Sequence, residues 1–172
     1  MAVNEELQEH VEHAHDPFDK TVAASMAIIA ALLAVVSVLG QHFQTEQLLM
    51  QQQASDQWAY YQAKDIRRYL AQISQDTLPL VKADAHALSR YVQDSEKYKK
   101  QAAEIQDKAR EFEKERDKNG RQAARYHFGE VFLEVAIVLS SLSILTKRRP
   151  LFLGGVAAAL IGALISASAL TI

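Results

Sequence analysis

The chain has no cysteine, so disulfides and thiolate metal sites are excluded, and the compartment is left open. Only three prolines and six glycines punctuate 172 residues. With so few breaks, and with abundant Ala, Gln, Glu and Lys, the polar part of the chain must be mostly helix. Neither sign of charge prevails, the formal net charge being −2, which removes the basic excess that nucleic-acid binding relies on. Phosphate loop, Rossmann fingerprint, nucleophile elbow and zincin motif are all missing as well, so no enzyme is expected.

What is present is unevenly distributed. Apolar residues collect in two end zones, and most Lys, Arg, Glu and Gln lie between them. Three segments meet the requirement of about 20 residues for a helix crossing a bilayer. They are residues 21–40, which carry no charge, 128–146, and 150–172. The first is read as an uncleaved span, because the leader is acidic and the apolar run is too long for a signal peptide. The expected plan is an all-α membrane protein: a tail over 1–20, a span over 21–40, a helical hairpin over 41–127 with its turn near 75–82, and spans over 128–146 and 150–172.

Orientation follows from the short loop after the second span, where Lys147, Arg148 and Arg149 stand together. Cations beside short loops stay in the cytoplasm. Lys20 agrees, so the N-terminus is expected inside and the hairpin outside, in the periplasm of a bacterial inner membrane. Arg121 and Arg125 before the second span oppose this, but they belong to a long translocated segment in which charge has less weight.

Within the polar segment, Ala59, Ala63, Ile66, Leu70 and Ile73 repeat at alternating four- and three-residue steps. Leu88, Tyr91, Ser95, Tyr98, Ala102, Ile105, Ala109 and Phe112 do the same. These are predicted to be the facing seams of an antiparallel coiled-coil hairpin. Asn119 and Gly120 offer a stop, with a continuous helix as the alternative.

The block ASDQWAYYQAKDIRRYL interleaves aromatics with cations, a pattern some single-strand binders use; packing of Trp58 and Tyr61 with solvated cations accounts for it better, and no nucleic-acid partner is expected. Taken with HVEHAHDPFDK before the first span and AIVLSSLSILTKRRPLF at the last two, this block resembles a bacterial three-span membrane-protein family labelled as a domain of unknown function, number 4337. That resemblance implies the same three-span plan and supplies no reaction, ligand or catalytic residue.

The leader alternates His10, His13 and His15 with Glu9, Glu12 and Asp16, in the manner of a metal-binding tract. A solvated tail has the same composition, and three His without a fixed scaffold hold metal weakly. No cofactor is expected.

The carboxylates of the second span are the sharpest feature. His127, Glu130, Glu134, Ile137 and Ser141 fall at three- and four-residue steps and so are predicted to share one face. A carboxylate at mid-bilayer costs roughly 2.5 to 3.5 kcal/mol on insertion scales, and this stripe should face protein or water. Gly154, Ala158, Gly162 and Ser166 form a small-residue stripe on the third span, and Ala23, Ala27 and Ala31 a shorter one on the first; such faces pack helices closely in lipid. Few partners for a Glu exist within three spans, so a homo-oligomer is expected. The leading function is a membrane-anchored structural or accessory subunit that self-associates through its spans, within the bilayer or a larger membrane complex, and presents its hairpin to a partner. The alternative is a cation channel lined by the second span.

Overall fold

The computed structural model describes residues 17–77 and 85–171, and all regular structure among them is helical. Helix α1 spans Pro17–Thr77 (61 residues). Helix α2 spans Ala85–Thr146 (62 residues), and α3 spans Arg149–Ser168 (20 residues) before a closing 3-10 turn at Ala169–Thr171. Each of the three helices contains a stretch long and apolar enough to cross a membrane. Pro17 heads α1, where its missing N–H is one the helix leaves unused. Helix α2 runs unbroken through Asn119 and Gly120. A stop predicted there does not form, since one Gly costs only about 1 kcal/mol against Ala and the turns on both sides propagate the helix.

The chain divides into two compact units. The apolar unit comprises described residues 17–44 and 120–171, and the polar unit residues 45–119.

In the apolar unit the buried cluster is Ile29, Val36, Tyr126, Leu133, Ala136 and Ala169. Small residues bring α2 against α3. A Cβ added at Gly162 would lie 2.7 Å from the Gly129 carbonyl oxygen, and one at Gly155 would lie 3.0 Å from that of Ala136. Backbone therefore meets backbone along Gly129, Ala136, Gly155 and Gly162. The exterior is as apolar as the interior, with Ile28, Val38, Val131, Val138, Leu153 and Leu164 all exposed. Helix α2 passes to α3 through Lys147, whose φ of 53° is the left-handed conformation that commonly ends a helix. Pro150 then stands in the first turn of α3.

In the polar unit the contacts between the α1 and α2 segments include Gln51 with Arg116, Trp58 with Glu113, and Lys64 with Gln101. Partner numbers fall in one segment as they rise in the other. Of the α2 residues its periodicity predicts, Ala102, Ile105 and Ala109 are buried, whereas Tyr91 is exposed. The α1 side is not. Ala59, Ala63, Ile66, Leu70 and Ile73 are all exposed, and the face turned inward carries Ala54, Tyr61, Lys64, Arg68 and Ala71. Long amphipathic side chains account for the reversal, because they bury their stems while their heads bond across the seam or reach water. Tyr61, Asp65 and Arg68 of α1 and Lys99, Ala102 and Gln106 of α2 line an open groove.

Candidate functional site

The polar side chains of the apolar unit separate into an inward group and an outward one. Glu130 turns inward: its carboxylate lies near the Ser37 hydroxyl of α1 and 3.1 Å from His127 Nδ1. The other ring nitrogen of His127 is 3.3 Å from Gln44 Oε1 on α1. Close approach at Gly40 makes this possible, a Cβ there meeting Tyr126 Cβ at 3.3 Å and the His127 ring at 3.4 Å. Phe43 stacks on Tyr126, with centroids 5.6 Å apart and planes 5° from parallel. Ser37, Gln44, His127 and Glu130 thus form one polar cluster between α1 and α2.

Glu134 does not join it. Its side chain is exposed on the outside of the unit, and no hydrogen bond or ion pair of Glu134 is found among the described residues. Its neighbours on that surface are Val131, Val135 and Val138, all exposed. Ser141, also exposed, follows on the same flank. The shared face predicted for Glu130, Glu134 and Ser141 therefore divides in two. Four residues advance a helix by about 40° beyond a full turn, and at the edge of the α1 contact that rotation carries one carboxylate in and the next out.

The small-residue stripe of α3 is divided in the same way. Gly162 and Ser166 are buried and meet Gly129, while Ser166 Oγ donates to the Gly162 carbonyl at 2.9 Å. Ala158 packs against the core, and Gly154 is exposed. Gly155, outside the predicted stripe, makes the second close contact, against Ser140 and Ala136. Ser140 Oγ is buried there, with no hydrogen-bond partner among the described residues. The far end of α3 is tied to α2: Gln122 Nε2 donates to the Ala169 carbonyl at 3.2 Å, and Arg125 donates to the Ser168 carbonyl at 2.8 Å. Donors at the last carbonyls satisfy groups the helix cannot pair, and the cation suits the negative end of its dipole. Residues 121–128 are a continuing part of α2, and two of them hold α3.

At the other end, the exposed Lys147, Arg148 and Arg149 stand at the α2 to α3 turn. Lys147 Nζ pairs with Asp19 in the first turn of α1, and Phe18 meets Phe152 edge to face. His10, His13 and His15 lie outside the described residues. Among the described residues no group of three or more His, Asp or Glu is arranged to hold a metal ion.

In the polar unit the aromatic and cationic block is occupied with its own contacts. Trp58 Nε1 donates to Glu113 Oε1 at 2.9 Å, Lys64 lies over the Tyr60 and Tyr98 rings, and Arg68 over Tyr69. Arg68 also pairs with Asp65 at 2.8 Å, and that bond holds its guanidinium above the ordinary Arg pKa.

The family model described as Domain of unknown function (DUF4337) matches residues 18–172. The chain belongs to the DUF4337 family. No curated protein and no solved structure matches it. In this DUF4337 member, the pairing of Ser37 and Gln44 with the Glu130 end of α2 was not foreseeable from motif spacing. Ser37 is one of three hydroxyls in an uncharged run, with Thr21 and Ser25, and the signal that could have singled it out was Gly40 one turn later, marking where α2 comes close.

Proposed function

We propose that this chain is a multi-pass bacterial inner-membrane protein that self-associates through its spans and acts as a structural or accessory subunit, its polar unit forming an antiparallel coiled-coil hairpin presented to a partner. The three apolar helical stretches support membrane insertion. So does the spacing of two aromatic pairs, since Phe18 and Phe43 are about 37 Å apart along α1, close to the span of a hydrocarbon core with its interfaces. The falling and rising partner numbers of the Gln51, Trp58 and Lys64 contacts support the hairpin.

The observation that carries self-association is Glu134. A carboxylate on the outside of an apolar unit, among exposed valines, would face hydrocarbon in an isolated copy, which is costly. A second copy whose α2 presents the same flank covers it and supplies a hydrogen-bonding partner. In this arrangement Glu134→Gln retains a hydrogen-bond donor and acceptor at the contact and leaves the oligomer intact. Glu134→Leu removes both and weakens it by about 1 to 2 kcal/mol per contact. Native mass spectrometry from lipid nanodiscs reads the difference; equal effects of the two variants would count against a buried hydrogen bond.

A cation channel is the second reading, favoured by the exposure of Glu134 and Ser141 on one flank. Its lining is shorter than the sequence suggested, because Glu130 is engaged with Ser37 and His127. Cation flux through the wild type in liposomes, lost in Glu134→Gln, would establish it over the structural role.

For topology, Lys147 to Arg149 in a tight turn support a cytoplasmic N-terminus and an external polar unit. A Cys at Thr77, the end of α1 in that unit, is then labelled by a membrane-impermeant maleimide in intact spheroplasts. Labelling only after lysis reverses the orientation.

A further inference from the structure

We propose that the outward face of α1 between Leu48 and Ile73 is a second helix interface, occupied by the same face of a second copy of this chain. The polar unit wears its most apolar surface on the outside. Ile66, Leu70 and Ile73 are 59%, 59% and 58% exposed, whereas the buried apolar residues of α1 within this unit are Ala54 and Ala71. With Leu48, Ala59 and Ala63 the three aliphatics fall on one arc of the helix, at alternating steps of three and four residues along most of its length, the pattern of a seam meant for another helix. A row of exposed aliphatics in a water-facing unit marks an interaction surface.

The occupant follows from charge and from anchoring. No residue of the arc itself is charged, and Gln52 and Ser55 fill its remaining positions. The outward face of α2 in the same unit is the opposite, with Lys97, Lys100, Glu104, Lys108, Glu111 and Lys118 exposed. A charged helix selects a partner by complementary charge; an uncharged seam carries no such code and meets its own copy without repulsion. Two copies inserted in one bilayer with one topology are related by rotation about the membrane normal, so their α1 seams run parallel and in register. Tethering both chains in the membrane also raises their effective concentration. The inference rests on the membrane-anchored reading for this register, and it is independent of Glu134.

The chain has no cysteine, so single Cys variants of the full-length protein in native membranes report contacts directly. Ala59→Cys, Ile66→Cys and Ile73→Cys are each expected to form disulfide-linked dimers under mild oxidation about tenfold faster than Lys97→Cys on the charged face, because a disulfide needs its two Cα atoms within about 7 Å. These side chains are exposed in a single copy, so the substitutions leave its fold intact. Ile66→Asp placed in the Ile73→Cys chain is expected to slow that dimer several-fold. Val138→Cys, next to Glu134 on the apolar unit, reports separately on the spans. Dimers at 138 with none at 59, 66 and 73 would overturn the seam and leave span association standing. Dimers at the seam with none at 138 would support the seam and remove association through Glu134. Adducts to a different protein at the seam positions would overturn the second copy as occupant.

Discussion

On the outside of the apolar unit the misplaced group is a carboxylate, Glu134; on the outside of the polar unit it is a row of aliphatics, Ile66, Leu70 and Ile73. Each is ordinary in the other unit. Valine and leucine are unremarkable against lipid, where they replace lipid contacts with no loss, and Glu is unremarkable against water. Burial therefore has to be judged against the solvent each surface meets. Judged so, on the proposed membrane-anchored reading each unit carries one surface that is unfavourable alone, and the two call for separate tests of association.

The interiors differ as well. In the apolar unit, α2 and α3 touch through glycine backbone, the close packing that would hold helices together in lipid, where no hydrophobic effect acts between them. In the polar unit, Trp58 and Lys64 of α1 reach across to bond Glu113 and Gln101 of α2. The largest expected effect breaks the first of these. Gly162→Leu forces a side chain into the Gly129 carbonyl and should destabilise the apolar unit by about 3 kcal/mol or more, beyond ordinary overpacking, because backbone cannot yield. Leu160→Ala, at an exposed position, should change little. Accumulation in the membrane and hydrogen exchange of α3 amides check this. Equal tolerance of the two variants would mean that α2 and α3 do not meet at these glycines. Because Gly162 is engaged within one copy, its loss should unfold α3 before it dissociates an oligomer, a distinction that the stripe in the sequence does not make.

The helices themselves were legible, because a nearly charge-free run of about 20 residues matches the thickness of a bilayer core. So was the α2 seam, where Ala102, Ile105 and Ala109 are apolar and, at two of the three positions, small. The α1 seam was not, and the reason lies in Ile66 and Lys64. Periodicity identifies a face without saying which solvent or neighbour it meets, and α1 has two periodic faces. The one with the longer side chains faces inward, because Trp58, Tyr61 and Lys64 bury more stem than Ala59 and Ala63 could. Glu130 and Glu134 failed for a different reason. Their spacing fixes a rotation of only about 40°, and whether that rotation matters depends on the edge of α1, which no pattern within α2 reveals. His10, His13 and His15 lie outside the described residues, so their metal reading stands as an expectation only.

The smallest effects come from removing one hydrogen bond between helices, one in each unit. Gln122→Leu takes the donor from the Ala169 carbonyl at the end of α3, and Ala169 is wholly buried. That carbonyl finds no replacement, so the loss should be about 1 to 3 kcal/mol, the desolvation of an unpaired buried group. Trp58→Phe removes the bond to Glu113 while keeping a ring to meet the edge of Tyr61, whose centroid is 5.6 Å away. Here the orphaned partner is a carboxylate at a water-facing seam, which regains solvent as soon as the indole N–H is gone. The expected loss is about 1 kcal/mol or less, a roughly fivefold rise in exchange of nearby amides. Hydrogen exchange by mass spectrometry reads both variants in the same nanodisc preparation. A Trp58→Phe loss as large as that of Gln122→Leu would mean that the Trp58 and Glu113 pair is shielded from water, and a second copy seated beyond the α1 seam would be the first cause to look for.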